Sequence, residues 1–96
     1  MAKLLDEPQI GDALSTLPGW THEGDALVKA FPFSNFREAI SFMMRVSFEC
    51  EEMNHHPVWT NVYDRVFVRL NTHDKGGKVT DLDVELARRI EKLSAR

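Results

Sequence analysis

Three of the four histidines in the chain, together with a nearby carboxylate, have the types and spacing needed for proton transfer. His55 and His56 are adjacent and precede Pro57, and His73 follows a predicted strand. Proline lacks an N–H and disfavours helical geometry in the residue before it, so the helix leading into this motif is predicted to end near His55. The negative end of the helix dipole favours a protonated imidazole there, and Glu51, one turn earlier, acts in the same direction. The motif therefore predicts a histidine acid that works near neutral pH.

Length, charge and cysteine content narrow the class of protein. The 96 residues are enough for one domain with a real core, so we expect a single domain over residues 1–96. The chain has 12 Lys and Arg against 15 Asp and Glu, and its longest basic cluster is Arg88-Arg89, which argues against direct nucleic-acid binding. Cys50 is the single cysteine, so no intrachain disulfide can form. With no long apolar run at the start, we expect a cytoplasmic protein without a membrane partner.

The elements that position the histidines begin with a short helix and a hairpin. Apolar residues at helical spacing predict a first helix over residues 8–17, which Pro18 and Gly19 end. Segments 20–23 and 26–31 flank Gly24-Asp25, and this pattern predicts two antiparallel strands joined by a tight turn.

A long central helix is predicted between residue 32 and the histidine motif, with Ser34 or Asn35 as its cap. Its predicted core face is the stripe of Phe36, Ala39, Ile40, Met43, Val46, Ser47, Cys50 and Met53. A second apolar group, Phe42, Met44 and Phe48, is more than one sheet easily covers, so it predicts a homodimer or homotetramer formed through this helix. The alternative is that these side chains wrap into the wide core of a monomer.

The second half of the chain predicts a strand, a turn and a last helix. Residues 58–72 alternate between apolar and mixed side chains, which predicts one strand, with Trp59 and Phe67 on a face that His73 continues. Residues 74–78 form a turn, and Thr80-x-x-Asp83 begins the final helix. The order helix, hairpin, helix, strand, helix predicts an α+β fold in which helices cover one face of an antiparallel sheet.

The spacing of the polar motifs resembles that of a known family. The matching positions are Glu51-x-x-x-His55-His56-Pro57, Tyr63, His73 within Thr72-His73-Asp74, and Asp83. This pattern closely resembles the pterin-4a-carbinolamine dehydratase family, whose members are also called 4a-hydroxytetrahydrobiopterin dehydratases. That family removes water from 4a-hydroxytetrahydropterin, the product of aromatic amino acid hydroxylases, to give quinonoid dihydropterin. The resemblance thus implies a hydro-lyase that recycles a pterin and needs no metal or organic cofactor.

The resemblance also implies a role for each matching residue. His55 and His73 correspond to the acid/base pair that protonates the leaving C4a hydroxyl and takes the N5 proton. His56 corresponds to a residue of the catalytic group that binds and orients the pterin. The implied substrate-binding positions are Glu51, His56, Trp59 and Asp83. Asn54 departs from the animal members of the family, which carry aspartate directly before the histidine pair.

Each of these residues also has a structural interpretation. Histidines are common at helix C-termini for electrostatic reasons alone, and polar residues such as His73 are common where strands end. Asp83 fits the capping-box position of Thr80-x-x-Asp83, and Trp59 fits an ordinary core aromatic.

Three other functions compete with the dehydratase interpretation. Three imidazoles with Glu51 or Asp83 are zinc ligands by type, but adjacent side chains in extended backbone point to opposite sides, which argues against a shared metal. A non-enzymatic interaction module is the second alternative, because animal members of the resembled family also act as dimerisation partners of a transcription factor. The third is a dehydratase-like protein that acts on another pterin.

Overall fold

The structure is a computed structural model that describes residues 2–94, and it combines helices with one sheet. The elements in chain order are α1 (Glu7–Leu14), β1 (Thr21–Glu23), β2 (Ala26–Pro32), α2 (Phe36–Met53), β3 (Val58–Val62), β4 (Arg65–Leu70) and α3 (Asp81–Ser94). A 3₁₀ turn, His73–Lys75, lies between β4 and α3. None of the helices described is long and apolar enough to cross a membrane.

The four strands form one antiparallel sheet in the order β1-β2-β4-β3. Along β4, Val66, Val68 and Leu70 are buried and alternate with exposed residues. The buried side chains share one core with Phe42 from α2 and Leu86 from α3. Helices therefore cover one face of the sheet, which confirms the predicted α+β fold.

Residues 58–72, predicted as one strand, form the β3-β4 hairpin instead. The turn is Tyr63-Asp64, where Tyr63 has a positive φ of 51°. The side-chain amide of Asn61 donates to the carbonyl oxygens of Tyr63, at 3.1 Å, and Arg65, at 2.9 Å, and so stabilises the turn. Because the turn contains neither glycine nor proline, the sequence pattern did not predict it.

The hairpin changes which residues share a face of the sheet. Trp59 pairs with Val68, whose side chain is buried on the helix side, whereas Phe67 pairs with exposed Thr60. Paired residues of antiparallel strands point to the same face. The prediction that Trp59 and Phe67 share a face was therefore wrong.

The first helix is shorter than predicted. The carboxylate of Asp6 accepts a hydrogen bond from the Gln9 N–H, and the Gln9 side chain accepts one from the Asp6 N–H, both at 2.9 Å. This capping box begins α1 at Glu7. The helix ends at Leu14, because the Leu17 N–H already bonds to the carbonyl three residues back, so the chain continues as a turn.

Helix α2 has two apolar faces, and their members differ from the prediction. The core face consists of Ala39, Phe42, Val46 and Cys50. Phe42 is fully buried, with its ring centroid 5.1 Å from that of Phe31 and 4.8 Å from that of Phe33. Phe36 and Ile40, predicted for the core, are exposed because they lie about 120° or more around the helix axis from Phe42. The exposed face, called the α2 stripe below, consists of Phe36, Ile40, Met44 and Phe48.

Candidate active site

The three predicted histidines line one cavity of about 800 Å³. Its wall is formed mainly by residues 53–56 at the end of α2 and residues 71–75 after β4, with Ala2, Val58 and Leu82 completing it. The two segments are far apart in sequence, and the sheet and α3 bring them together. His55, His56 and His73 therefore face one common space large enough for a small heterocycle.

The end of α2 is shaped by Asn54, which adopts the left-handed conformation with a φ of 50°. Its N–H bonds to the carbonyl oxygens of the preceding turn, and the His55 N–H donates to the Cys50 carbonyl at 3.0 Å. Asparagine tolerates this conformation better than most residues. The resulting sharp change of direction buries His55 and leaves its neighbour His56 exposed.

Helix α3 is held against the last turns of α2 by Arg89. Its guanidinium donates to Glu85 of its own helix at 3.1 Å and to Glu52 and Glu49 of α2 at 2.5 and 3.1 Å. These hydrogen bonds, first those with Glu85 and Glu52, raise the pKa of Arg89 above its ordinary value. The contact fixes the middle of α3 against the last turns of α2, and the end of α2 lines the cavity.

His55 is bound to a fully buried carboxylate behind the cavity wall. The ring is 7% exposed, and its Nε2 lies 2.5 Å from Oδ1 of Asp83, which is 0% exposed. The other oxygen, Oδ2, accepts from the Thr80 N–H at 2.8 Å and the Thr72 hydroxyl at 2.9 Å. An ionised carboxylate only accepts hydrogen bonds, so a contact with ionised Asp83 requires the proton on Nε2.

The second ring nitrogen of His55 is left for a ligand. Within residues 2–94, every buried side-chain nitrogen or oxygen atom has a hydrogen-bond partner. The His55 ring bonds through Nε2 alone in this part of the chain. Its Nδ1 is therefore not fully buried, and His55 is one of the residues that line the cavity.

The other two histidines are exposed on the cavity wall. His56 Nε2 lies 3.4 Å from a carboxylate oxygen of Glu51, one turn earlier on α2. His73 begins the 3₁₀ turn, and the Gly76 N–H closes that turn by donating to the His73 carbonyl at 3.2 Å. The adjacent imidazoles of His55 and His56 thus contact different carboxylates. Residues 2–94 contain no group of three His, Cys, Asp or Glu side chains placed to hold a metal ion.

The remaining predicted site residues lie outside the cavity wall. Asp83 lies behind His55, Glu51 beside His56, and Trp59 packs against the core next to Val58. Asp83 also caps α3, because its Oδ2 accepts the Thr80 N–H at the start of that helix. The structural interpretation of Asp83 as the capping-box residue is therefore confirmed, whereas its role in binding a substrate stays a prediction.

Thr72 was not predicted as a site residue, yet it is 5% exposed and contacts Asp83 directly. Its position was detectable, because the alternation that buries Val66, Val68 and Leu70 continues to residue 72. A polar residue at a buried strand position beside His73 is a pattern that indicates a hydrogen-bond network.

The fold and this cavity define a small α+β protein with a cavity lined by three histidines. A family model described as pterin 4 alpha carbinolamine dehydratase matches residues 3–93. The chain belongs to this family.

Individual relatives agree with this assignment. A protein of Opitutus terrae, provisionally named pterin-4-alpha-carbinolamine dehydratase, is 60% identical over 94 residues, covering 98% of this chain and 97% of the relative. A Synechococcus protein with the same provisional name is 47% identical over 93 residues, covering 97% and 99%.

Solved structures match the fold. The crystal structure of a transcriptional coactivator/pterin dehydratase from Brucella melitensis superposes with a TM-score of 0.93 at 35% identity, covering 97% of this chain and 100% of that one. A pterin dehydratase-like protein described as a RuBisCO assembly factor in the alpha-carboxysome has a TM-score of 0.68 at 21% identity, covering 80% and 90%. The second likeness concerns the fold alone.

Proposed function

We propose that this protein dehydrates 4a-hydroxytetrahydropterin to quinonoid dihydropterin and so recycles the cofactor of aromatic amino acid hydroxylases. The observation that carries the proposal is the single cavity lined by three imidazoles in a chain of the pterin dehydratase family. The cavity volume of about 800 Å³ accommodates a bicyclic pterin.

The reaction needs an acid and a base but no change of oxidation state. The C4a–O bond breaks, the N5–H proton leaves, and the electron pair of that N–H bond forms the C4a=N5 double bond. One group must protonate the departing hydroxyl to release water, and another must accept the N5 proton. Imidazole serves both purposes near neutral pH.

We assign His55 and His73 as the acid/base pair. Neutral His55 keeps its proton on Nε2 toward Asp83, so Nδ1 accepts a proton as a base and donates it when the ring is charged. The exposed imidazole of His73 on the same cavity supplies the complementary group. The buried carboxylate of Asp83 holds the His55 ring in place and stabilises its imidazolium form.

The other assignments concern binding of the pterin. His56 is exposed on the cavity wall and binds and orients the ring, while Glu51, 3.4 Å from it, fixes the imidazole. Trp59 packs against the core outside the cavity wall, so its contribution is to hold the strand whose neighbouring residue Val58 lines the cavity.

The test is the dehydration rate of enzymatically generated 4a-hydroxytetrahydropterin, followed by ultraviolet absorbance. His55→Ala and His73→Ala should each reduce kcat by on the order of 10²- to 10⁴-fold, the loss expected for one proton-transfer group. His56→Ala should mainly raise KM. His22→Ala is the matched control, since His22 lies on β1 outside the cavity wall. A wild-type protein that does not accelerate dehydration would refute the proposal.

We also propose that the chain forms a homodimer or homotetramer through the α2 stripe. Phe36, Ile40, Met44 and Phe48 are 50%, 37%, 56% and 65% exposed, a contiguous apolar surface on one helix face. Met44→Glu should dissociate the oligomer in light-scattering measurements, whereas Val62→Glu on the sheet should not. A wild-type chain that stays monomeric at high concentration would refute the oligomer proposal. The α2 stripe would then be exposed for binding a different protein, as the interaction-module alternative requires.

A cytoplasmic location completes the proposal. Cys50 is a buried free thiol, which fits a reducing compartment. Fractionation of the source cells with an antibody against the protein checks it, and recovery outside the cytoplasmic fraction would contradict it.

A further inference from the structure

Two buried hydroxyl groups, those of Thr80 and Thr72, form a chain of hydrogen bonds that ends at the Asp83 carboxylate. The Thr80 and Thr72 hydroxyl oxygens lie 2.6 Å apart, and Thr72 Oγ1 lies 2.9 Å from Asp83 Oδ2. The Leu82 N–H donates to Thr80 Oγ1 at 3.2 Å. Thr80 is 0% exposed and Thr72 is 5% exposed, so water does not compete for these contacts. We call Thr80 Oγ1 and Thr72 Oγ1 the hydroxyl chain.

The direction of every hydrogen bond in the hydroxyl chain follows from counting donors. A hydroxyl has one proton, and an ionised carboxylate has none. Thr72 therefore gives its proton to Asp83, and Thr80 must donate to Thr72. The Thr80 oxygen is then free to accept the Leu82 N–H, which is what the geometry shows. The chain runs one way only, from Leu82 through Thr80 and Thr72 to Asp83.

This direction has a consequence for His55. Asp83 Oδ2 is saturated by two donors, the Thr72 hydroxyl and the Thr80 N–H. The carboxylate is thereby fixed with Oδ1 turned toward His55 Nε2. A carboxylate held in this orientation requires a proton on Nε2, which excludes the neutral tautomer protonated at Nδ1.

We propose that Thr72 and Thr80 are positioning residues that fix the tautomer and orientation of His55. They act through Asp83 and keep His55 Nδ1 as the proton-exchanging nitrogen at the cavity. The inference deepens the proposed dehydratase function and rests on it for its effect on turnover, whereas the tautomer itself is measurable without any substrate.

Thr72→Val tests this proposal most directly, because valine keeps the shape of threonine and removes the hydroxyl. The backbone contacts of residue 72 persist in the variant: its N–H bonds to the Lys78 carbonyl at 2.9 Å, and its carbonyl accepts from Lys75 and Gly77 at 3.0 and 3.1 Å. The variant should therefore fold, as circular dichroism will verify. Thr72→Ser restores a hydroxyl at the same position, and Thr60→Val on the exposed side of β3 is the matched control.

Two readouts are compared across these proteins. Long-range ¹H–¹⁵N correlations of the neutral His55 ring should show a proton on Nε2 in the wild type and in Thr72→Ser, and a mixture of tautomers in Thr72→Val. In the dehydration assay, Thr72→Val should lower kcat by about tenfold with KM within about twofold, since one charge-assisted hydrogen bond is lost. Thr72→Ser should recover most of the lost rate.

The outcomes separate this proposal from the dehydratase proposal. A wild-type His55 protonated on Nδ1, or an unchanged tautomer in folded Thr72→Val, would overturn the role of the hydroxyl chain whatever the activity. Failure of Thr72→Ser to restore the Nε2 proton would do the same. An inactive wild type with the expected tautomer shifts would reject the dehydratase function and leave the positioning role supported.

Discussion

Asp83→Asn separates the positioning role of this residue from its role in the fold. Asparagine has nearly the same shape, and its carbonyl oxygen can still accept from the Thr80 N–H and the Thr72 hydroxyl. Its NH₂ group then faces His55 Nε2, where the carboxylate oxygen stood at 2.5 Å. Two donors cannot share this contact, so neutral His55 must accept at Nε2 and move its proton to Nδ1. The nitrogen at the cavity would change from a base into a donor.

The expected losses in stability and activity differ widely. In the variant, three hydrogen bonds to the charged carboxylate are replaced by contacts with a neutral amide, one of them with donor and acceptor exchanged. Burying an amide costs less desolvation free energy than burying a carboxylate, which offsets part of the lost stability. We expect a stability decrease of about 1–2 kcal/mol, or about 5–15 °C in Tm for a domain of this size. An acid/base histidine in the wrong tautomer loses on the order of 10³- to 10⁴-fold in kcat.

The assay measures the dehydration rate and Tm side by side for the wild type, Asp83→Asn and Asp81→Asn. Asp81 also lies in the first turn of α3 but bonds to the Lys3 N–H, outside the cavity wall, so its variant should keep full turnover. If folded Asp83→Asn retains turnover within about threefold of the wild type, the reasoning about His55 is refuted.

Three further predictions concern the fold. Burial raises the pKa of the Cys50 thiol from 9.0 to about 11, so the contribution of the thiol to the free energy of unfolding is present below pH 9 and is lost toward pH 11. A thiol reagent at about pH 8 should label the native protein slowly and the unfolded protein fast. Asn54→Gly should leave stability nearly unchanged, whereas Asn54→Ala should lower it by about 1 kcal/mol in denaturant titrations, because φ is 50° there. Phe42→Ala should cost about 3–5 kcal/mol and Phe48→Ala less than about 0.5 kcal/mol in a monomer; equal losses would contradict the assignment of the two faces of α2.

The elements predicted best were those with strong local patterns. The hairpin around Gly24-Asp25 and the start of α3 at the Thr80-x-x-Asp83 cap follow from turn and capping chemistry between near neighbours. The end of α2 close to His55 was predicted from Pro57 in the same way. Local chemistry of this kind is visible in a sequence because the interacting residues are only a few positions apart.

The features that were missed either lack a glycine or proline signal or depend on tertiary contacts. The turn at Tyr63-Asp64 is held by the Asn61 side chain, and no glycine marks it. Phe42 and Ile40 have similar hydrophobicity, and only the position of the sheet decides which of them is buried. The contact of Thr72 with Asp83 joins the end of β4 to α3, which a linear pattern does not show.

The location of the site between two helix ends explains how a buried histidine and carboxylate are tolerated together. Removing such a pair from water is costly unless other groups stabilise the charges. Asp83 lies in the first turn of α3, where the positive end of the helix dipole and the Thr80 N–H favour a carboxylate. His55 lies just beyond the C-terminus of α2, where the negative end of that dipole favours an imidazolium. The two helix ends thus oppose the desolvation cost at both partners, so the contact between His55 and Asp83 is tolerated in the interior.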